Sequence, residues 1–490
     1  MKNYDVEFAI IGTGFGGIIA SLELQKNNFQ SIMMFEKASE IGGTWRDNVY
    51  PGCACDVSSY LYSIHDEPNP DWSNMFSSQK EILAYLKNIV AKNKLNEKIK
   101  FDTEVVKIEF ENQEQVWNLF DQNKNVFKAK YVLLAQGPLN RAVIPQFKGL
   151  ENFKGTYFHT SHWDTSHVLK NKKVAVIGTG ASAIQVIPNI VDEVAHLNIL
   201  QRSAAWILPR ANPKISDFTK KIYRLFPVLE KLKREQLYWM NELFGLAFVG
   251  NETVNKFVTN FAINYLKKKV PNETLQKKLI PTYKLGCKRV LVSKKYYPVF
   301  SKPNVSLITD SIKEIKEHTI VFENNEEIEV DTLIIATGFE AAEIQVKTKI
   351  IGIDGINLID QWKTTSVHAF KGCMTHNYPN LFFILGPNTG LGHNSVVHMM
   401  ESQMIYILKH IKESKKLNEH QLLNIKKEVE EKYNNNLQSN LKNTVWSSGC
   451  KSWYLDSKGV NTTIYPKLNN QFRKEMRKYD LNDFEIIQNI

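Results

Sequence analysis

The sequence predicts an α/β fold of two parallel-sheet domains, the second inserted into the first and carrying a helical insertion of its own. Three observations carry this. A short apolar run, a glycine turn and a helical pattern follow one another twice, in "YDVEFAIIGTGFGGIIASLEL" and in "KKVAVIGTGASAIQVIPNI". Two further apolar runs, "KYVLLAQGPLN" (130–140) and "DTLIIATGFEA" (331–341), each close in Ala-x-Gly, as a strand does when its C-terminal edge approaches a ligand. Residues 211–284 space aromatic and aliphatic side chains at helical intervals with Lys and Arg between them.

The first copy reads strand, Gly12-x-Gly14-x-x-Gly17, helix. Gly12 permits the tight turn, Gly14 lets the backbone approach a pyrophosphate, and Gly17 lets helix and strand pack closely. A second strand, "SIMMFEK", ends in Glu36, a carboxylate suited to accept hydrogen bonds from ribose hydroxyls. Such a Rossmann-like unit should hold FAD or NAD.

In the second copy Gly178, Gly180 and Ala183 take the three positions, with Thr179, Ala181 and Ser182 between them. The step that leads from Gly12 to Glu36 leads from Gly178 to Arg202, followed by Ser203. A carboxylate would repel a 2′-phosphate, whereas a guanidinium forks onto it, so this unit should hold NADP. Two dinucleotides in one chain imply electron transfer between them and favour a flavoprotein that uses NADPH.

The Ala-x-Gly strands mark where the chain leaves the first domain and where it returns. The expected division is 1–149 and 339–490 for the FAD domain, 150–210 and 285–338 for the NADP domain, and 211–284 for the helical insertion. Segment 377–408 reads as strand, Gly/Asn-rich loop and helix, and the tail as helical.

Composition narrows the class. The chain has 490 residues, 43% hydrophobic and 23% charged, as in a soluble protein of two or three domains. A net charge of +11 suits a phosphate-bearing cofactor, a nucleic acid or a membrane surface, but no nucleic-acid-binding motif accompanies it. Runs such as "YLKKKV" are ordinarily solvated helix faces. The insertion is expected to pack on the core, and its basic amphipathic character also suits a membrane surface. No apolar run is long enough to span a bilayer. Five cysteines without framework spacing point to reduced thiols and the cytoplasm. Cys53-x-Cys55 lacks the spacing of a redox dithiol, and His159, His162 and His167 lack the further ligand a zinc site needs, so no metal is expected.

At 153–164 the chain reads "FKGTYFHTSHWD". This matches F-x-G-x-x-x-H-x-x-x-W-[PD] through Phe153, Gly155, His159, Trp163 and Asp164. "GGTWRDNVYPGCACD", from Gly42 to Asp56, matches a second signature, and "GCKR", "GPNTGLGHNS" and "CKSWYLDSKGVNTT" follow in order. With these motifs the chain resembles the class B flavoprotein monooxygenases of Baeyer–Villiger type over roughly residues 5–475. The resemblance implies FAD and NADPH as cofactors and insertion of one oxygen atom from O2 beside a ketone carbonyl through a C4a-peroxyflavin. N- or S-oxygenation is the alternative within the superfamily, and a flavin reductase or oxidase acting for a partner is the alternative outside it. By resemblance the FAD set is Gly12, Gly14, Gly17, Glu36, Thr44, Trp45, Asp56, Tyr62 and Val105, with Trp45 and Tyr50 offering flat surface to the flavin. Arg289, held by Asp56, is the catalytic cation. Lys288 joins Arg202 and Ser203 on the 2′-phosphate, and Arg289 also belongs to the NADP set with Gly178, Thr179, Gly180, Ala181 and Ser182. Phe153, Gly155, His159, Trp163 and Asp164 form a linker that anchors moving domains. Cys53-Ala54-Cys55 and the loop 386–395 depart from the cyclic-ketone type. That loop and the segment around Trp446–Trp453 should line the substrate pocket.

Overall fold

The computed structural model describes residues 4–342 and 348–488. The apolar run Val6–Ile11 forms the centre of an eight-stranded sheet, parallel to Ile32–Phe35 on one side and to Val126–Leu134 on the other. A strand buried on both faces must be apolar throughout, and every residue from Phe8 to Ile11 is buried. Val126–Leu134 changes partner along its length. Its first half runs antiparallel to Val116–Asp121, and its second half runs parallel to Leu381–Phe383, which arrives from far along the chain.

The second sheet has five parallel strands in the order Val305–Ile308, His196–Leu200, Lys173–Ile177, Thr332–Ile335, Thr156–His159. The chain therefore crosses from the first sheet to the second after Leu134 and returns after Ile335, through the two Ala-x-Gly turns. Between 211 and 284 it forms the helices Asp217–Leu225, Pro227–Gly245, Glu252–Lys269 and Glu273–Leu279. Among the described residues no helix is long and apolar enough to cross a membrane.

Two expectations need correction. The tail is helical only in part: Gln421–Ile425 and Phe484–Gln488 pair as antiparallel strands, because the apolar residues Leu422, Leu423 and Phe484 need a sheet-like face to bury. Nor are all the thiols reduced. Cys287 and Cys450, 163 residues apart, are joined in a disulfide with Cα atoms 6.2 Å apart, while Cys53, Cys55 and Cys373 are free. Spacing rules see only local frameworks, and this pair lies where Phe248 and Leu285 pack with Leu441 and Val445 from the tail. Unfolding without reductant should expose three thiols to a colorimetric thiol reagent, and five after reduction; five in both cases would show that the bridge is absent.

Candidate active site

A single cavity of about 980 Å3 runs between the two sheets and takes in both glycine turns. At the first, Gly12 has φ +104° and sits so close to the strand beside it that a Cβ would lie 2.6 Å from the Ala135 carbonyl oxygen. At the second, Gly178 has φ +112°, and a Cβ would lie 2.5 Å from the Ala336 carbonyl oxygen. Ala135 and Ala336 open the two Ala-x-Gly turns, so each glycine turn packs on the strand by which the chain changes domain. Gly17 lies beneath its turn and does not reach the cavity. A Cβ there would come 1.9 Å from the Gly12 carbonyl oxygen. Gly180, by contrast, has open space on its Cβ side, beside the lining residues Thr179, Ala181 and Ser182.

Glu36 is buried at the end of Ile32–Phe35. Its Oε2 accepts from Thr13 N (3.2 Å) and Thr13 Oγ1 (2.6 Å), and its Oε1 accepts from Ala38 N (3.1 Å) and Arg46 Nη1 (2.8 Å). All the usual acceptor directions of the carboxylate are engaged. A diol bound there must exchange with one of these donors, and the Thr13 hydroxyl is the one able to rotate away. Thr13 and Arg46 were invisible in the sequence because their roles depend on a partner on another strand or loop.

Thr44, Trp45, Tyr62 and Val105 line the same end. Trp45 Nε1 donates to Tyr62 OH (3.2 Å), with the two rings edge to face. Tyr50, expected to offer its ring to a flavin, lines the cavity while also packing on the core of the second domain and donating to Gln185 Oε1 (3.0 Å). Gln185 Nε2 also donates to the Ala54 carbonyl (2.9 Å). Pro51-Gly52 makes the expected turn, and Gly52 is favoured there because its φ is +80° and a Cβ would lie 2.8 Å from the Gln185 carbonyl oxygen. Together these contacts clasp the two domains.

Midway along the cavity Asp56 Oδ2 accepts from both Arg289 Nε (2.9 Å) and Arg289 Nη2 (2.6 Å). Burial pushes the Asp56 pKa up, but the Arg289 charge and hydrogen bonds outweigh it and hold the carboxyl below its ordinary value. The Asp56 charge in turn raises the Arg289 pKa, so this guanidinium is charged at any working pH. Arg210, unnoticed in the sequence, stacks over Phe76 and donates to the Cys55 carbonyl (2.8 Å), fixing the backbone just before Asp56.

At the far end Lys288 Nζ donates to Ser203 Oγ (3.1 Å), Thr179 Oγ1 donates to the Ser203 carbonyl (3.0 Å), and Arg202 lines the same wall. Burial, and then the charge on Arg202, lower the Lys288 pKa. Like charges held together in this way favour an anion between them.

None of Phe153, Gly155, His159, Trp163 and Asp164 lines the cavity. Phe153 is in the core of the second domain, and Gly155 packs where a Cβ would meet the Asp331 carbonyl oxygen at 2.4 Å. His159 is buried edge-on to Phe339, which does line the cavity, and Trp163 packs on Phe158. Asp164 Oδ1 accepts from Ser166 N (2.9 Å) to close a turn. Trp446, expected in the pocket, is buried against Phe248 instead, while Trp453 and Tyr454 line the cavity with Gly386, Gly390, Leu391 and Asn394.

A family model described as flavin-binding monooxygenase-like matches residues 5–446. The chain belongs to that family. It is 42% identical over 98% of its length to a Baeyer–Villiger monooxygenase of Pseudomonas aeruginosa, 91% of which is covered. It is 36% identical over 99% of its length to a Baeyer–Villiger monooxygenase of Streptomyces coelicolor, with 93% covered. Among solved structures, cyclohexanone monooxygenase from Rhodococcus sp. Phi1 bound to NADP+ superposes with a TM-score of 0.87 at 26% identity, with 99% of each chain covered. Within this flavin-binding family the chain's two glycine turns, its Asp56–Arg289 pair and its Arg202–Lys288 wall all share one cavity.

Because the Asp56 pKa is depressed, the pair's contribution to stability is complete above the unfolded carboxylate value near 4 and is lost only as pH falls through the lower folded value. Asp56→Asn should therefore lower stability by about 1–3 kcal/mol, the cost of leaving a part-buried hydrogen-bonding group without its partner. The gap from wild type should be constant between about pH 8 and 5 in denaturant titrations. A gap that closes already between about pH 7 and 5 would show that Asp56 is not held ionised.

Proposed function

We propose that the protein is an FAD- and NADPH-dependent monooxygenase of Baeyer–Villiger type, converting a ketone, O2, NADPH and a proton to an ester or lactone, NADP+ and water. The observation that carries this reading is the single cavity in which two dinucleotide-type turns flank a permanently charged arginine. The residues present fit two dinucleotides. Open space at Gly180, the glycine approaches at Gly12 and Gly178, and a cation pair with Ser203 between are features that a phosphate-bearing ligand uses. When bound, FAD supplies hydride acceptance and the activation of O2.

The chain's own residues bind, orient and stabilise. Gly12, Gly14, Glu36, Thr44, Trp45, Tyr62 and Val105 hold FAD, the last four forming the apolar wall with its polar rim, while Gly17 supports the turn from beneath. Gly178, Thr179, Gly180, Ala181 and Ser182 hold the NADPH pyrophosphate, and Arg202, Ser203 and Lys288 select its 2′-phosphate. Asp56 aims Arg289, and Arg289 stabilises negative charge that develops on oxygen during the reaction. Trp453, Tyr454 and Leu391 line the cavity together with Arg289 and give it apolar and aromatic surface for a substrate. The site of action in this proposal is the cytoplasm, the source of NADPH. There the Cys287–Cys450 bridge must persist against reduction, which the complete burial of Cys287 assists.

Purified holoenzyme given NADPH and a panel of ketones should form esters; hydrogen peroxide alone, or oxygenation of thioethers and amines with no ketone turned over, would sink the reading. Arg289→Ala should cut ester formation by about 10²-fold or more while leaving flavin bound. Arg202→Ala should raise the KM for NADPH by about 10–100-fold, the worth of a charge-assisted phosphate contact, and leave NADH use unchanged. An equal effect on both nucleotides would remove Arg202 from the 2′-phosphate.

A further inference from the structure

The helix Pro227–Gly245 is inside out. Its buried face is polar, with Glu230, Arg234, Tyr238 and Glu242 recurring at every fourth position. Arg234 Nη1 donates to the Tyr60 carbonyl (2.9 Å) and the Ser63 carbonyl (2.6 Å), and Tyr238 OH donates to Asn469 Oδ1 (3.2 Å). Glu242 accepts from Asn394 Nδ2 (2.8 Å) and Asn470 N (2.9 Å). The opposite face carries Val228, Leu232, Trp239, Met240 and Leu243, and it is solvent-exposed, Trp239 by 52% and Leu243 by 65%. The neighbouring helices add Phe218 and Leu225 before it and Phe257 and Phe261 after it, both Phe218 and Phe257 being 73% exposed. Apolar surface on this scale, gathered on one stretch of chain, marks an interaction site.

The charges on the same stretch of chain select the partner. Between 217 and 269 the exposed cations are Lys221, Arg224, Lys231, Lys256 and Lys267–Lys269, against the exposed acids Asp217, Glu235 and Glu252. Arg224 is paired with Asp71, and Glu252 with Lys284. A second copy docking through this face would bring two such cationic surfaces together, which like-charge repulsion opposes. We propose that this face lies on an anionic lipid surface, with Trp239, Leu232 and Leu243 entering the interface and the lysines meeting the headgroups. Docking is in the plane of the surface, since no described helix can span it.

Holoenzyme should float with phosphatidylglycerol–phosphatidylcholine vesicles and do so about tenfold less with phosphatidylcholine alone or at high ionic strength. The combined variant Leu232→Ser, Trp239→Ser, Leu243→Ser should lose flotation by at least about tenfold with NADPH oxidation on a water-soluble ketone unchanged. Should that variant fail to fold, charge reversal at Lys231, Lys256 and Lys268 should produce the same loss. The proposal is overturned if wild type does not float at any composition, or if the variants float undiminished. It is equally overturned if light scattering finds a dimer that the serine variant splits, which would make the face a contact between copies, or if flotation requires an added acidic protein.

Discussion

The close seating of each glycine turn on the strand by which the chain changes domain is the constraint on which the rest depends. Gly12 presses on the Ala135 carbonyl and Gly178 on the Ala336 carbonyl, both with positive φ. Any side chain would add roughly 1–2 kcal/mol of left-handed strain to an overpacking cost of about 1–3 kcal/mol. The crossing segments begin at these same alanines, so one contact sets the mouth of a turn and the direction in which the chain departs. Gly137 and Gly338, each two residues on and each with positive φ, carry the chain away along the cavity wall. The two sheets therefore present their glycine turns to one shared space.

Within that space, two neighbouring residues divide the electrostatics. Arg289 is neutralised by Asp56, whereas Lys288 faces Ser203 and Arg202 with no carboxylate hydrogen-bonded to it among the described residues. A compensated cation keeps its position and charge as its surroundings change; two like charges held close together attract an anion. The disulfide at Cys287 ties this segment to Cys450, and from there to the cavity residues Trp453 and Tyr454. The segment bearing both cations is thus tied covalently to the tail as well as by its ion pair to Asp56.

Much of this was legible in the sequence, for identifiable reasons. Turn glycines, the residue at the end of the second strand and the apolar runs are local features, so Gly12, Glu36, Gly178 and Arg202 could be read directly. What was missed depends on partners far away in the chain. Arg46 matters through Glu36, Gln185 through Tyr50, Arg210 through Cys55, and Cys287 through Cys450. Trp446 and Trp453 looked alike as pocket aromatics, but Phe248 buries the first and the cavity receives the second.

The helix Pro227–Gly245 shows the limit of periodicity most clearly. Spacing identifies which residues share a face and says nothing about which way that face points. Apolar residues at helical intervals suggest core packing, yet here the inward face is the one with Glu230, Arg234 and Glu242. Burying Arg234 and Glu242 requires partners already in place, and Ser63, Asn394 and the helix start at Asn469–Asn470 provide them. Asn394 also lines the cavity. The polar seat of the helix is therefore shared with the cavity wall, and the outward apolar surface follows from that seat: a helix with one polar and one apolar stripe cannot bury the first against the protein without turning the second to the outside.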